Sequence, residues 1–123
     1  MRHPDRPMNE TIYKITPLDA WSEAVEAGFY SGAPVDVADG FIHFSTAAQV
    51  AETAAKHFAG RDGLVLVAVD TARLGDSLKW EPSRGGALFP HLYGPLDAGA
   101  VRSVESLPLG PDGVHIFPEG VLP

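Results

Sequence analysis

Two short segments concentrate side chains able to do chemistry. The first is His43-Phe44-Ser45-Thr46, an imidazole followed by two hydroxyls. The second is Phe89-Pro90-His91-Leu92-Tyr93-Gly94-Pro95, where prolines and a glycine bracket a His and a Tyr two residues apart. In an extended chain His91 and Tyr93 point to the same side. Histidine moves a proton near neutral pH, and tyrosine donates a hydrogen bond. Two polar rings on one rigid segment are costly to bury without a partner. A third candidate is Glu81, a carboxylate suited to general-base work or to stabilising developing positive charge, with Arg84 in the loop that follows. Lys14, beside Tyr13, would hold an anion if it faces a pocket.

Each feature also has a plainer reading. Ser45 and Thr46 would simply cap a helix, and His43 would be a hydrogen-bonded core residue. Glu81 would be a surface carboxylate. Lys14 would protect an edge strand against aggregation. Metal binding by His43, His91, Glu81 and Asp70 lacks any tight ligand spacing such as H-x-x-x-H, so no metal site is assigned. There is no phosphate-binding G-x-x-x-x-G-K loop, no G-x-G-x-x-G and no G-x-S-x-G elbow.

Positioning these groups requires a small set of elements. Ile12 to Ile15 reads as a strand rich in β-formers. Thr16-Pro17 opens a helix as cap and first residue, with Leu18, Trp21, Ala24 and Val25 on its apolar face and Gly28 as its stop. Residues 31–39 read as a loop. Gly40 to Phe44 is a second strand, carrying His43 towards a helix opened by the T-x-x-Q box of Thr46 and Gln49 and buried through Val50, Ala54 and Phe58. Leu64 to Val69 is a continuous apolar strand, the pattern of a central strand covered on both faces. Leu78 to Glu81, Val101 to Leu107 and Val114 to Phe117 complete six short strands beside two main helices. The last two strands are joined by a Gly-Pro-Asp-Gly turn. Strands without intervening helices in the second half exclude a fully parallel doubly wound sheet. The expectation is an α+β chain, with residues 1–9 as a mobile tail and residues 10–123 as a single domain.

Composition narrows the partners. The net charge is −7 over 123 residues, with no basic cluster, which argues against nucleic acid and against anionic membrane surfaces. A local Lys, Arg or helix N-terminus still suffices for a small anion. Cysteine is absent, which removes disulfides, thiolate zinc sites and thiol nucleophiles and fits a cytoplasmic location.

The paired signatures Gly40-Phe-Ile-His-Phe-Ser-Thr46 and Phe89-Pro-His-Leu-Tyr-Gly-Pro-Leu96, with Ile12 to Ile15, Trp21 and Glu81, resemble a bacterial family known as domain of unknown function 952 (DUF952) over about residues 11–107. That family looks like a compact branch of the ADP-ribosyltransferase-like fold, near the RNA 2′-phosphotransferases. The resemblance implies a split, curved, mainly antiparallel sheet around a cleft with about two main helices. It further implies that His43 and Ser45 line the cleft and that Tyr13 and Lys14 face it. Lys14 stands where the first motif of the phosphotransferases carries His.

Three functions are consistent with these residues. The first in order is binding of a small nucleotide-like or phosphorylated ligand through Tyr13, Lys14, Ser45, Thr46, Arg84 and Tyr93, with no cofactor required. The second is a transferase or hydrolase acting on NAD or an ADP-ribosyl group, with His43, Glu81 and His91 as catalytic residues. The third is a His-based acid–base enzyme or a non-catalytic interaction protein.

Overall fold

The computed structural model describes residues 10–83 and 86–123. The expected N-terminal tail and Arg84 lie outside the described residues.

The chain is a mixed α+β structure with antiparallel sheets and three α-helices among the described residues. Strand β1 (Thr11–Pro17) leads into helix α1 (Leu18–Ala27) and the short strand β2 (Phe29–Tyr30). Helix α2 (Pro34–Asp39), strand β3 (Ile42–His43), helix α3 (Val50–His57) and strand β4 (Leu64–Asp70) follow. The second half is built from strands β5 (Leu78–Pro82), β6 (Leu88–Leu92), β7 (Leu96–Asp97) and β8 (Val101–Ser106).

Strand β4 is the centre of the first sheet, with β1 and β8 antiparallel on either side. Its unbroken apolar run is buried on both faces because side chains alternate across a strand. Val65, Val67 and Val69 enter one apolar cluster, with Trp21 of α1, Ile42, Phe44 and Leu92. Leu64, Leu66 and Ala68 enter the other, with Val50 and Ala54 of α3 and Leu107. The second three-stranded sheet has β6 at its centre, between β3 and β5. A third pairing joins β2 to β7.

The two larger sheets meet where the backbone leaves β3. Tyr13 N–H donates to Ser45 O at 2.8 Å, and Ser45 N–H returns a bond to Tyr13 O at 2.9 Å. Phe44 N–H donates to Pro90 O at 3.0 Å. Ser45 is thereby stitched to β1 and Phe44 to β6, which fixes β1 beside the His43 end of β3.

Several local expectations need correction. Thr16 does not cap α1. It lies within β1, and its hydroxyl accepts a hydrogen bond from Tyr30 at 3.3 Å. Leu18 and Val25 are exposed, so α1 buries only a narrow stripe around Trp21. Residues 31–39 are not all loop, because Pro34 opens α2, a position where its missing N–H costs nothing. The T-x-x-Q segment makes half of its box: Gln49 Oε1 accepts from Thr46 N–H at 3.0 Å, and the helix proper begins at Val50. In the C-terminal segment only an isolated Leu109–His115 bridge forms in place of a strand over residues 114–117. No helix among the described residues is long and apolar enough to cross a membrane.

Gln49 also donates through Nε2 to Leu88 O at 2.8 Å, tying the start of α3 to β6. Removing both bonds leaves two partly buried backbone groups unpaired. Gln49→Ala is therefore expected to lower unfolding free energy by about 1–3 kcal/mol, read by urea denaturation; an unchanged midpoint would contradict this linkage.

Candidate functional site

The site grows from the pairing of β3 with β6. In that register His43 lies directly opposite His91. Their ring centroids are 5.4 Å apart with an edge-to-face tilt of 69°. Phe41 packs against both, 4.2 Å from the His91 ring in a stacked arrangement and 4.7 Å from the His43 ring.

Each histidine is held by a carboxylate through Nδ1. His91 Nδ1 lies 2.7 Å from Glu81 Oε1, and the Tyr93 hydroxyl donates to the same oxygen at 2.8 Å. The two donors, the His91 hydrogen bond first and the Tyr93 bond second, lower the Glu81 pKa. The same contact raises that of the Tyr93 hydroxyl. Glu81 and Tyr93 thus form a support behind His91. His43 Nδ1 lies 2.6 Å from Asp36 Oδ1, while its Nε2 lies 3.0 Å from Asp39 Oδ2. Carboxylates only accept, so both contacts are hydrogen bonds together only when both ring nitrogens carry protons.

Asp36 is the buried centre of this arrangement. Its side chain is 0% exposed and receives four donors. Oδ1 takes the His43 backbone N–H at 3.1 Å and the ring Nδ1. Oδ2 takes Ala33 N–H at 2.7 Å and Lys14 Nζ at 2.8 Å. Burial disfavours the charged carboxylate, but the His43 hydrogen bond, the Lys14 ammonium and the Ala33 N–H outweigh it and lower the pKa from 3.8 to about 2. Burial lowers the pKa of Lys14, against the opposing pull of Asp36. Lys14 is therefore no edge-strand gatekeeper; it is a buried cation with a dedicated partner.

A cavity of about 660 Å³ opens beside these groups. Tyr13, Lys14, Asp36, His43, Ser45 and His91 contribute to one part of its wall, and Phe58 and Arg61 to another. Ser45 Oγ lies 2.8 Å from Thr53 Oγ1 of α3, which orients the hydroxyl. Of the residues singled out by sequence, His43, His91, Tyr13, Lys14 and Ser45 meet at this cavity. Glu81 and Tyr93 stand one layer behind His91. Thr46 is buried in the turn before α3 and is not among the residues lining the cavity. Among the described residues no group of three or more His, Cys, Asp or Glu is placed to hold a metal ion.

The model of the family described as protein of unknown function (DUF952) matches residues 15–104. The chain belongs to this family. It is also similar to protein CC0527 from Caulobacter crescentus. The crystal structure of that protein is 49% identical, covers 90% of this chain and 97% of its own, and superposes with a TM-score of 0.86. The solution structure of the same protein gives 52% identity, coverage of 85% and 90%, and a TM-score of 0.77. No curated protein matches.

The residues of this DUF952 chain that sequence reasoning missed are Asp36, Asp39 and Phe41. The one hint in the sequence is Lys14: a lysine between Tyr13 and Ile15 in a strand needs an acid partner if it is buried. Gly32 shows in the structure how closely the chain packs over Asp36. Its φ is +108°, and a Cβ there would sit 2.6 Å from Asp36 Cβ, so the chain passes close over the carboxylate at a point only glycine tolerates.

Asp36→Asn would leave Lys14 buried without a counter-charge and is expected to cost about 3–5 kcal/mol of stability, measured by chemical denaturation. The pH dependence has a definite sign. A carboxylate with a depressed folded pKa contributes stability that is fully present above 3.8 and is lost as pH falls towards about 2. At 1.36 kcal/mol per unit the contribution is about 2 kcal/mol. The wild-type advantage over Asp36→Asn should shrink across that window; a constant difference would show that Asp36 is not charged in the fold.

Proposed function

We propose that this DUF952 chain binds a small, phosphorylated or nucleotide-like ligand in the cleft beside His43 and His91. The observation that carries the reading is the cross-strand pair of imidazoles on the cavity wall, each oriented by a carboxylate and packed on Phe41. Maintaining two oriented rings and a buried Lys14–Asp36 pair at a cavity edge is costly unless something polar enters. Arg61, on another part of the cavity wall, adds a fixed positive charge in a chain of net charge −7, which favours an anionic ligand locally.

The ADP-ribosyl reading draws on the same cleft. Its support is the pairing of Tyr13 with Ser45, which joins the two segments that resemble the phosphotransferase motifs. Lys14 weighs against a ribose contact of the kind histidine would make there, because an ammonium only donates and cannot reproduce the imidazole's geometry. Glu81 supports His91 rather than lining the cavity itself.

A proton-transfer role is favoured by one specific contact. With Nδ1 held by Glu81, the tautomer of His91 is set and Nε2 is the nitrogen left for a ligand. Ligand binding alone would not require that orientation.

Calorimetric titration with NAD, ADP-ribose and nicotinamide is the direct test. A phosphorylated member of the set should bind, and His91→Ala should weaken it at least about tenfold, the loss of one hydrogen bond at Nε2. No heat from NAD or ADP-ribose with folded protein would overturn the nucleotide reading. If the bound ligand turns over, Glu81→Gln should slow turnover by about 10²-fold with little change in affinity; equal loss of both would assign Glu81 to the fold alone.

A further inference from the structure

We infer that Lys14 is a nucleophilic amine that captures an aldehyde- or ketone-bearing ligand as an imine at the cleft wall. The chain holds three lysines, at 14, 56 and 79. Lys56 lies on the outer face of α3 and Lys79 on β5, both exposed. Lys14 alone is buried, with its side chain 8% exposed, and it alone lines the cavity.

Its placement has a cost that packing does not explain. Ile12, Tyr13, Ile15 and Thr16 around it on β1 are all buried, and a buried ion pair is commonly no more stable than apolar residues of the same volume. An ammonium has three donors, and Asp36 engages one edge of it at 2.8 Å. Burial favours the neutral amine, whose lone pair is the nucleophile, while Asp36 acts in the opposite sense.

The chemistry closes without an added reactant beyond the carbonyl compound. The ammonium gives one proton to solvent in the open cleft, and Nζ attacks the carbonyl carbon as the C=O π pair moves to oxygen. A second proton passes from nitrogen to that oxygen, a solvent proton then makes the hydroxyl a leaving group, and water departs as the nitrogen lone pair forms the C=N bond. The product is a protonated imine. It carries the same single positive charge as the ammonium it replaces, so the partner of Asp36 is conserved through the reaction.

The proposal rests on the cleft reading for ligand access, though not for ligand identity. The test uses the intact chain with glyoxylate and, separately, pyridoxal 5′-phosphate as probes. Any imine formed is reduced by hydride from cyanoborohydride to a stable secondary amine and mapped by peptide mass spectrometry. Lys14 should be labelled at least tenfold faster than Lys56 and Lys79 by one of the two probes, and Lys14→Arg should abolish the fast phase. Labelling of Lys14 no faster than the exposed lysines with both probes would overturn the proposal. Non-carbonyl phosphates that bind while Lys14 stays unlabelled would keep the cleft reading and remove this one. Fast labelling of Lys14 in a protein that binds no such phosphate would do the reverse.

Discussion

A single buried carboxylate organises the part of this molecule around the cleft. Asp36 accepts four donors from three parts of the chain: Lys14 on β1, Ala33 at the start of α2, and both the backbone and the ring of His43 on β3. None of those elements would keep its relative position if the charge were unpaired, because an uncompensated buried ion costs several kcal/mol. The close passage of Gly32 over Asp36 and the αL turn at Gly40, where the amide donates back to Asp36 O, hold the helix that presents the carboxylate. A six-residue helix has little stability of its own, so α2 is held in place chiefly by these contacts.

The second histidine depends on a separate support with the same logic. His91 is set by Glu81 of β5 and by Tyr93, which bonds the same carboxylate, and Phe41 packs against both imidazoles. Two independently braced rings on adjacent strands give this part of the cavity wall a fixed geometry. The backbone pairing of Tyr13 with Ser45 brings the Lys14 side of the cleft to the same edge.

Much of the arrangement was legible in the sequence, for stated reasons. The continuous run from Leu64 to Val69 announced a central strand, because only a strand covered on both faces omits polar residues at every second position. The two-residue spacing of His91 and Tyr93 announced a common side, and Glu81 is where their side chains meet. Helix starts were less legible. Thr16 and Pro17 have cap chemistry, yet pairing of β1 with the whole length of β4 extends the strand through them, so tertiary pairing overrides local preference. Residues 31–39 read as loop because Gly, Pro and Asp favour turns, while the long-range partners of Asp36, at positions 14 and 43, leave no periodic trace. DUF952 membership followed from the two motifs, whereas the cleft's buried ion pair did not.

The central claim is that Asp36 is a charged carboxylate inside the fold. Its Cγ resonance in labelled wild-type protein, followed by ¹³C NMR as the pH is lowered, reports that charge directly. The account predicts that the resonance stays at the carboxylate position until the pH approaches about 2. A midpoint at or above 3.8 would contradict it, since the four donors around Asp36 would then be arranged about a group that gains nothing from them in its charged form.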